Sequence, residues 1–185
     1  MYLNRINELL ERSMTESGFK FWKALYSKIP PAWDRLASST KKYHNKSNGR
    51  VPTIAEHTYE MLYAAEKLLR TFDIRVKTQE ADTILLAVTL HDAFKYGINP
   101  DEAEFTTNTH DQIMADSIVK NKETFKKVFT ESQVTQIETA IRYHAGRWSS
   151  GIPNTFRLDD LDPVTLFVHF LDMMSSRDLI KIGDK

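Results

Sequence analysis

Residues 84–95 read ILLAVTLHDAFK, an apolar run that ends in the adjacent pair His91-Asp92. Helical apolar spacing surrounds this run, so the pair is predicted to lie near the C-terminal end of a buried helix. An unpaired carboxylate buried against apolar side chains costs far more free energy than its packing returns. A divalent cation would neutralise that charge directly. The pair therefore predicts a metal site.

Four other residues are candidates to share this cation. His57, His110 and His144 lie where helices are predicted to start or end, and Asp172 is a second carboxylate within an apolar helix. One cation bound between Asp92 and Asp172 would account for both costly charges. The chain has no cysteine, so its metal ligands are imidazole and carboxylate. This ligand set suits one or two divalent ions among Mn, Fe, Co, Ni, Zn and Mg.

Three histidines have competing interpretations. His44 and His169 are better explained as packed or hydrogen-bonded residues than as ligands, with His169 beside Asp172 as a supporting neighbour. His110-Asp111 is a second histidine-aspartate pair, but it follows a polar segment, and its aspartate has a simpler role at a helix N-terminus. We therefore favour His91-Asp92 as the metal-binding pair.

Length and composition limit the classes of protein that this chain can belong to. The 185 residues, 41% of them hydrophobic, predict one compact domain with a real core. The 25 basic side chains balance the 25 acidic ones, which argues against binding to long duplex nucleic acid or to an anionic membrane. The N-terminal residues alternate polar and apolar types, unlike a signal peptide. We therefore expect a cytoplasmic protein with a small substrate.

Helical apolar spacing recurs along the whole chain and predicts an all-α fold. Capping residues mark five helix starts, and at three of them the spacing is that of a capping box. The starts are Thr53, Thr78, Thr109, Thr130 and Asp162, and those at Thr53, Thr109 and Thr130 have the capping-box spacing. The segment that follows Asp162-Pro163 is apolar nearly all round, which predicts a central helix.

The first fifty residues form a separate region in this prediction. Residues 1–50 are expected to be a helical extension packed on the core, interrupted at Pro30-Pro31 and again at the polar stretch 41–50. Residues 51–185 are expected to form the metal-binding helical domain. The two regions together make one compact domain.

The order of the candidate ligands resembles that of the HD-domain superfamily of metal-dependent phosphohydrolases. Glu56-His57-Thr58 looks like the family's first histidine, the segment Leu90–Lys95 like its name-giving pair with a trailing lysine, and Phe167–Asp172 like its last aspartate. The similarity extends from about Tyr43 to Arg177. His110 and His144 are similar to the extra histidines of the subset that holds two metal ions. The segments at Tyr43-His44 and His144–Trp148 also look like those of nucleotide- and RNA-cleaving relatives.

This resemblance implies both a ligand assignment and an activity. His57, His91, Asp92 and Asp172 would bind one ion, while Asp92 would bridge to a second ion held by His110 and His144. The implied activity is hydrolysis of a phosphorus ester in a nucleotide or short oligonucleotide through a metal-bound hydroxide. Asp92 and Lys95 would be the catalytic residues, and Lys95 and Arg147 would bind the substrate.

Three other functions remain open at this stage. A nuclease trimming single-stranded nucleic acid from its 3′ end would need a basic groove and stacking aromatic residues, and the neutral net charge argues mildly against it. A nucleotide-sensing module would keep the fold without turnover. A di-iron oxygenase would use the same ligands for redox chemistry, whereas Lys95 favours phosphate chemistry.

Overall fold

The computed structural model describes residues 2–29, 32–39, 44, 46, 48–152, 157–180 and 182. Within these residues the protein is all-α, as predicted: eight α-helices, three short 3-10 helices and one isolated bridge between Leu36 and Thr53. The α-helices are α1 (Tyr2–Ser13), α2 (Glu16–Tyr26), α3 (Ile54–Thr71), α4 (Gln79–Leu90), α5 (His110–Lys120), α6 (Lys122–Phe125), α7 (Glu131–Tyr143) and α8 (Pro163–Ser176). No helix among the described residues could span a membrane.

Four of the five predicted helix caps are present. Thr53, Thr78 and Thr130 each accept a hydrogen bond from the backbone amide three residues later. Asp162 accepts from two amides in the first turn of α8, whose first residue is a proline. At Thr130 the capping box is complete, because the Gln133 side chain also accepts from the Thr130 amide. Local sequence therefore determines where these helices begin.

Two details of the predicted capping boxes were wrong. Thr109 precedes α5 as predicted, but its side chain makes no cap hydrogen bond and its hydroxyl contacts that of Thr107. At the start of α3, the Glu56 carboxylate accepts two hydrogen bonds from the Arg50 guanidinium instead of one from the Thr53 amide. A charged partner outside the helix competes successfully for that carboxylate.

The central helix is α4, which corrects the prediction that the last helix would occupy this place. Every residue from Ala81 to Leu90 is buried. The last helix, α8, packs against α3, α4 and α7, but Leu166 and Phe170 on its outer side are 43% and 55% exposed. A helix that is apolar nearly all round can thus lie at the surface. The central position of α4 carries the His91-Asp92 pair into the interior.

Helices α1 and α2 contribute to the same hydrophobic core as the rest of the chain. Ile6, Leu10 and Trp22 are fully buried, and they belong to one continuous cluster with the residues of α3, α4 and α7. The Arg12 guanidinium donates two hydrogen bonds to the Glu66 carboxylate and so ties α1 to α3. The division at residue 50 stays a prediction, and Pro30 and Pro31 lie outside the described residues.

Candidate metal centre

Five helices bring the predicted ligands to one place in the interior. His57 lies in the first turn of α3, His91 and Asp92 follow the last residue of α4, and His110 is the first residue of α5. His144 follows the last residue of α7, and Asp172 lies within α8. All six side chains are buried. Residues separated by up to 115 positions in sequence therefore meet at a cluster of four imidazoles and two carboxylates.

One half of this cluster is built around His57. Its Nε2 atom lies 3.1 Å from Nε2 of His91 and 3.2 Å from Oδ1 of Asp172. The other half pairs His110 with His144, whose Nε2 atoms lie 3.3 Å apart. Each half thus presents two ring nitrogens to one small volume.

Asp92 lies between the two histidine pairs. Its Oδ1 atom is 3.0 Å from Nε2 of His110 and 3.6 Å from Nε2 of His144. Its Oδ2 atom is 3.6 Å from Nε2 of His91 and 3.9 Å from Nε2 of His57, and it has no hydrogen-bond partner among the described residues. One carboxylate oxygen therefore faces each pair.

The opposite ring nitrogens determine which way the histidines point. The Nδ1–H groups of His91, His110 and His144 donate to the backbone carbonyls of Val88, Thr107 and Ile141, over 2.7 to 2.9 Å. With Nδ1 carrying the hydrogen, the Nε2 atom of a neutral imidazole has a free lone pair. These lone pairs point into the cluster, as metal-ligating histidines held by an outer hydrogen bond do.

His57 is held by a longer chain of polar groups. The Ser175 hydroxyl donates to Oε2 of Glu60 over 2.8 Å, so its oxygen accepts from Nδ1–H of His57 at 2.9 Å. Glu60 is also paired with the Lys46 ammonium at 2.5 Å, and both of these side chains are less than one-tenth exposed. A buried carboxylate thus fixes the orientation of His57 through a serine.

Burial and charge determine the protonation states of the metal-free cluster. Burial lowers the pKa of His91 to about 3, and burial together with the Lys95 ammonium lowers the pKa of His110. Burial alone would raise the pKa values of Asp92 and Asp172, but Lys95 and His91 at the first and His57 at the second outweigh it and lower both.

His144 behaves differently from the other two histidines. Its burial acts to lower the pKa, but the hydrogen bond to Asp92 and the charge of Asp172 outweigh that effect and raise it. The cluster therefore contains ionised carboxylates and, at His91 and His110, neutral imidazoles. These are the protonation states that metal binding requires.

The residues fit divalent metal ions. The Oδ2 atom of Asp92 is buried without a hydrogen-bond donor among the described residues, and the Nε2 lone pairs of the neutral His57 and His91 rings face each other at 3.1 Å. Both arrangements are unfavourable unless positive charge lies between the groups. The ligand atoms of His57, His91 and Asp92 lie within 4.8 Å of one another, as do those of Asp92, His110 and His144.

Comparison with known proteins agrees with this geometry. The family model described as HD domain matches residues 54–175, which is more than half of the chain. The chain belongs to the HD-domain family. The HD domain is in general that of metal-dependent phosphohydrolases, and the similarity predicted from the sequence is confirmed. Searches of curated proteins and of solved structures found no match.

Lys95 lies at the edge of the cluster of four imidazoles and two carboxylates. Its ammonium is 2.9 Å from Oδ1 of Asp92 and 3.3 Å from Nε2 of His110. Its side chain is 13% exposed, so the ammonium connects the buried ligands with the surface.

Arg147 is not part of the cluster. It is exposed in the 3-10 helix Gly146–Trp148, which follows His144, and its guanidinium lies 4.4 Å from the ring centre of Trp148. The indole of Trp148 is itself 52% exposed. This part of the chain is attached to the start of α5, because Asp111 accepts a hydrogen bond from the amide of Ser150.

Asp111 and His169 both have structural roles beside the cluster. The Asp111 carboxylate accepts from the amides of Gln112 and Ser150, so it is a structural carboxylate and not a ligand. His169 was predicted to support Asp172. Its Nδ1–H instead donates to the carbonyl of His144 over 2.7 Å. Gly146 has φ +60, and a Cβ there would lie 2.6 Å from the His169 ring. Only glycine allows this close approach.

His44 is buried beside the His57 side of the cluster, and its predicted role as a packed residue stays a prediction. Its ring centre is 4.4 Å from that of His57, and its ligand nitrogen lies within 4.8 Å of those of His57 and Asp172. Burial, assisted by the nearby His57, lowers its pKa to about 3. His44 lies in an irregular segment where no periodicity could place it, and its neighbour Tyr43 lies outside the described residues.

Proposed function

We propose that this HD domain hydrolyses a phosphorus ester in a nucleotide or short oligonucleotide, with two divalent metal ions. The observation that carries this proposal is the position of Asp92, which has one oxygen toward each pair of histidines. His57, His91, Asp92 and Asp172 would hold one ion. Asp92, His110 and His144 would hold the other. When bound, paired ions polarise a phosphoryl oxygen and lower the pKa of a bound water, which makes it a nucleophile at neutral pH.

Lys95 supplies the cationic contact to the substrate. An ammonium group has three N–H donors, and here Asp92 accepts one and Nε2 of His110 accepts another. The third remains for a phosphoryl oxygen or for the departing oxygen of the ester. Ligation of His110 would remove one acceptor and leave two donors for the substrate. The lysine thus both neutralises Asp92 and stabilises the charge that develops on the leaving group.

The pair of Arg147 and Trp148 supports a nucleotide substrate. An exposed indole with a guanidinium over its face offers a stacking surface for a base and a positive charge for a phosphate. The pair begins three residues after His144, and the hydrogen bond between Asp111 and Ser150 holds its loop beside the start of α5. We therefore propose that Arg147 binds a substrate phosphate and that Trp148 contacts the base.

The test is a substrate screen on protein with a measured metal content. The purified protein would be stripped with chelator and reloaded separately with Mn, Fe, Co, Ni, Zn or Mg. It would then be incubated with nucleoside mono-, di- and triphosphates, cyclic dinucleotides and short oligonucleotides. Released phosphate and cleaved products would be measured. We expect turnover that depends on added metal and disappears in Asp92→Asn.

The same screen separates the competing functions. Stepwise release of mononucleotides from oligonucleotides, without hydrolysis of free nucleotides, would identify an exonuclease. Tight binding of a nucleotide without any product would identify a sensing module. Turnover that is equally fast in wild type and in Asp92→Asn would show that the cluster is not the catalytic site, and would overturn the proposal.

A further inference from the structure

His44 has the features of a ligand rather than of a core residue. Only 7% of its surface is exposed, yet its Nδ1 atom has no hydrogen-bond partner among the described residues. A buried imidazole that serves only as packing would normally satisfy this nitrogen, because leaving a buried polar atom unpaired is unfavourable. In the other buried histidines of the cluster, Nδ1 makes a hydrogen bond to a serine hydroxyl or a backbone carbonyl.

The backbone at His44 adds a second unusual feature. Its φ is 60, in the left-handed region that side-chain-bearing residues rarely adopt. This conformation is unfavourable for a residue with a Cβ, because the Cβ comes too close to the following carbonyl oxygen. The surrounding structure thus keeps His44 in an unfavourable conformation, with the ring against His57. Such local strain occurs preferentially where a side chain must reach a functional site.

The neighbours of His44 identify what its imidazole would bind. One of its two ring nitrogens lies within 4.8 Å of a ligand atom of His57 and of one of Asp172. The Nδ1 atom of His57 is engaged with Ser175, so Nε2 is the atom that faces Asp172 and also His91. A nitrogen lone pair binds only one ion, so an ion bound at Nε2 of His57 would be shared by His44, Asp172 and His91. The group of His44, His57 and Asp172 is therefore part of the His57–His91 site and not a third ion site.

We propose that His44 is a fifth protein ligand of the metal ion held by His57, His91, Asp92 and Asp172. This proposal rests on the proposed function, because it presumes that the cluster binds metal. It makes the two ion positions unequal, with five protein ligands at the first and three at the second. An ion of six-fold coordination then has one position free at the first site and three at the second. Substrate oxygens and water would accordingly bind mainly at the ion of His110 and His144, which is the side where Lys95 lies.

The test is chemical rescue of metal binding. His44→Gly removes the imidazole and tolerates the positive φ, so the backbone is not strained further. Metal content and affinity would be measured with Mn²⁺ by calorimetry and by the spin resonance signal of the free ion. We expect affinity at one of two sites to fall by about tenfold or more, since even residues that only support a ligand change affinity by about 10- to 100-fold. Added imidazole should restore it.

Two controls separate ligation from packing. Pyrrole has the same ring size but no free lone pair on nitrogen, so it should occupy the space without restoring metal affinity. Wild-type protein in the same imidazole corrects for binding of imidazole to free Mn²⁺. Thermal unfolding in chelator shows whether His44→Gly is folded, and His44→Phe offers a second variant of nearly native volume that should lose the same ion.

Each outcome is decisive. Unchanged affinity in folded His44→Gly and His44→Phe would overturn the assignment of His44 while leaving the proposed function intact. Rescue by pyrrole as well as by imidazole would also overturn it, because filling space would then be sufficient. If the wild-type protein bound no divalent ion, the proposed function would fall first and the His44 assignment with it.

Discussion

The Nε2 atoms of His57 and His91 lie 3.1 Å apart, and neither carries a hydrogen when the rings are neutral. Both Nδ1 atoms are donors, to Ser175 and to the carbonyl of Val88. Two lone pairs facing each other in a buried site repel, so the arrangement is stable only with a positive charge between them. The Nε2 atoms of His110 and His144 lie 3.3 Å apart, and Asp92 lies between the two pairs.

The first prediction concerns the number of bound ions. His110→Ala or His144→Ala should lower the metal content from about two ions per chain to about one, since each removes a ligand of one site only. His91→Ala and Asp92→Ala should abolish metal-dependent turnover, and Asp92→Ala should affect both sites. Metal analysis of protein freed of loose ions by gel filtration measures this directly. Unchanged metal content in the His110 and His144 variants would exclude two ions.

A second prediction separates Lys95 from the metal ligands. Lys95→Met should lower turnover by about 100- to 1,000-fold, as removal of a donor to a charged transition state does. Its metal content should stay the same or rise, because the ammonium no longer competes for Asp92 and His110. Lys23→Met, at an exposed position of α2, is the matched control and should behave as wild type. A loss of metal equal to the loss of activity would instead make Lys95 a structural residue.

The hydrogen bonds that connect His57 to Glu60 through Ser175 lead to a third prediction. Ser175→Ala removes the acceptor of the His57 Nδ1–H group, and metal affinity should fall by about 10- to 100-fold. Glu60→Gln should act in the same direction, because it removes the charge that orients the serine. Ser176→Ala is the control, since the hydroxyl of Ser176 donates to the carbonyl of Met173 within α8. Calorimetric titration with Mn²⁺ compares the three variants. Equal affinities would show that the hydrogen bonds through Ser175 do not support the metal site.

The contact between α1 and α3 should make stability depend on pH. The hydrogen bonds from Arg12, assisted by Ser13, lower the pKa of Glu66 below 4.5 in the folded protein, against the effect of its burial. A lowered folded-state pKa means that the unfolded chain binds more protons in acid. The stabilisation is therefore complete above about pH 4.5 and is lost as the pH falls through the folded-state pKa.

Urea unfolding of wild type and Glu66→Gln checks this fourth prediction. We expect the variant to be less stable near neutral pH, by less than about 1 kcal/mol because Arg12 is half exposed, and this difference should vanish in acid. Glu16→Gln, which affects the exposed pair with Lys20, is the control and should change little at either pH. A difference between wild type and Glu66→Gln that persists unchanged at about pH 3 would contradict the assigned linkage.

Several features of the fold follow from local sequence. Thr53, Thr78, Thr130 and Asp162 cap helices as predicted, because a side-chain oxygen next to a helix start bonds an amide only two or three residues away. The predicted cap at Thr109 was wrong because its backbone has ψ 13, outside the extended region of the other caps, and its hydroxyl does not reach those amides. The position of α8 was also predicted wrongly. Hydrophobicity does not decide which of two apolar helices is central, because Leu166 and Phe170 remain exposed although α8 is strongly apolar.

The amino-acid sequence by itself determined the helical class, most helix starts, and the membership in the HD-domain family that the order of His57, His91, Asp92 and Asp172 indicates. These properties depend on neighbours within a few residues or on a fixed order of residue types. Only the tertiary structure decided that Asp92 offers one oxygen to each histidine pair and that His44 reaches His57. Those relationships join parts of the chain that are distant in sequence, and their geometry arises from how these parts pack rather than from any local pattern.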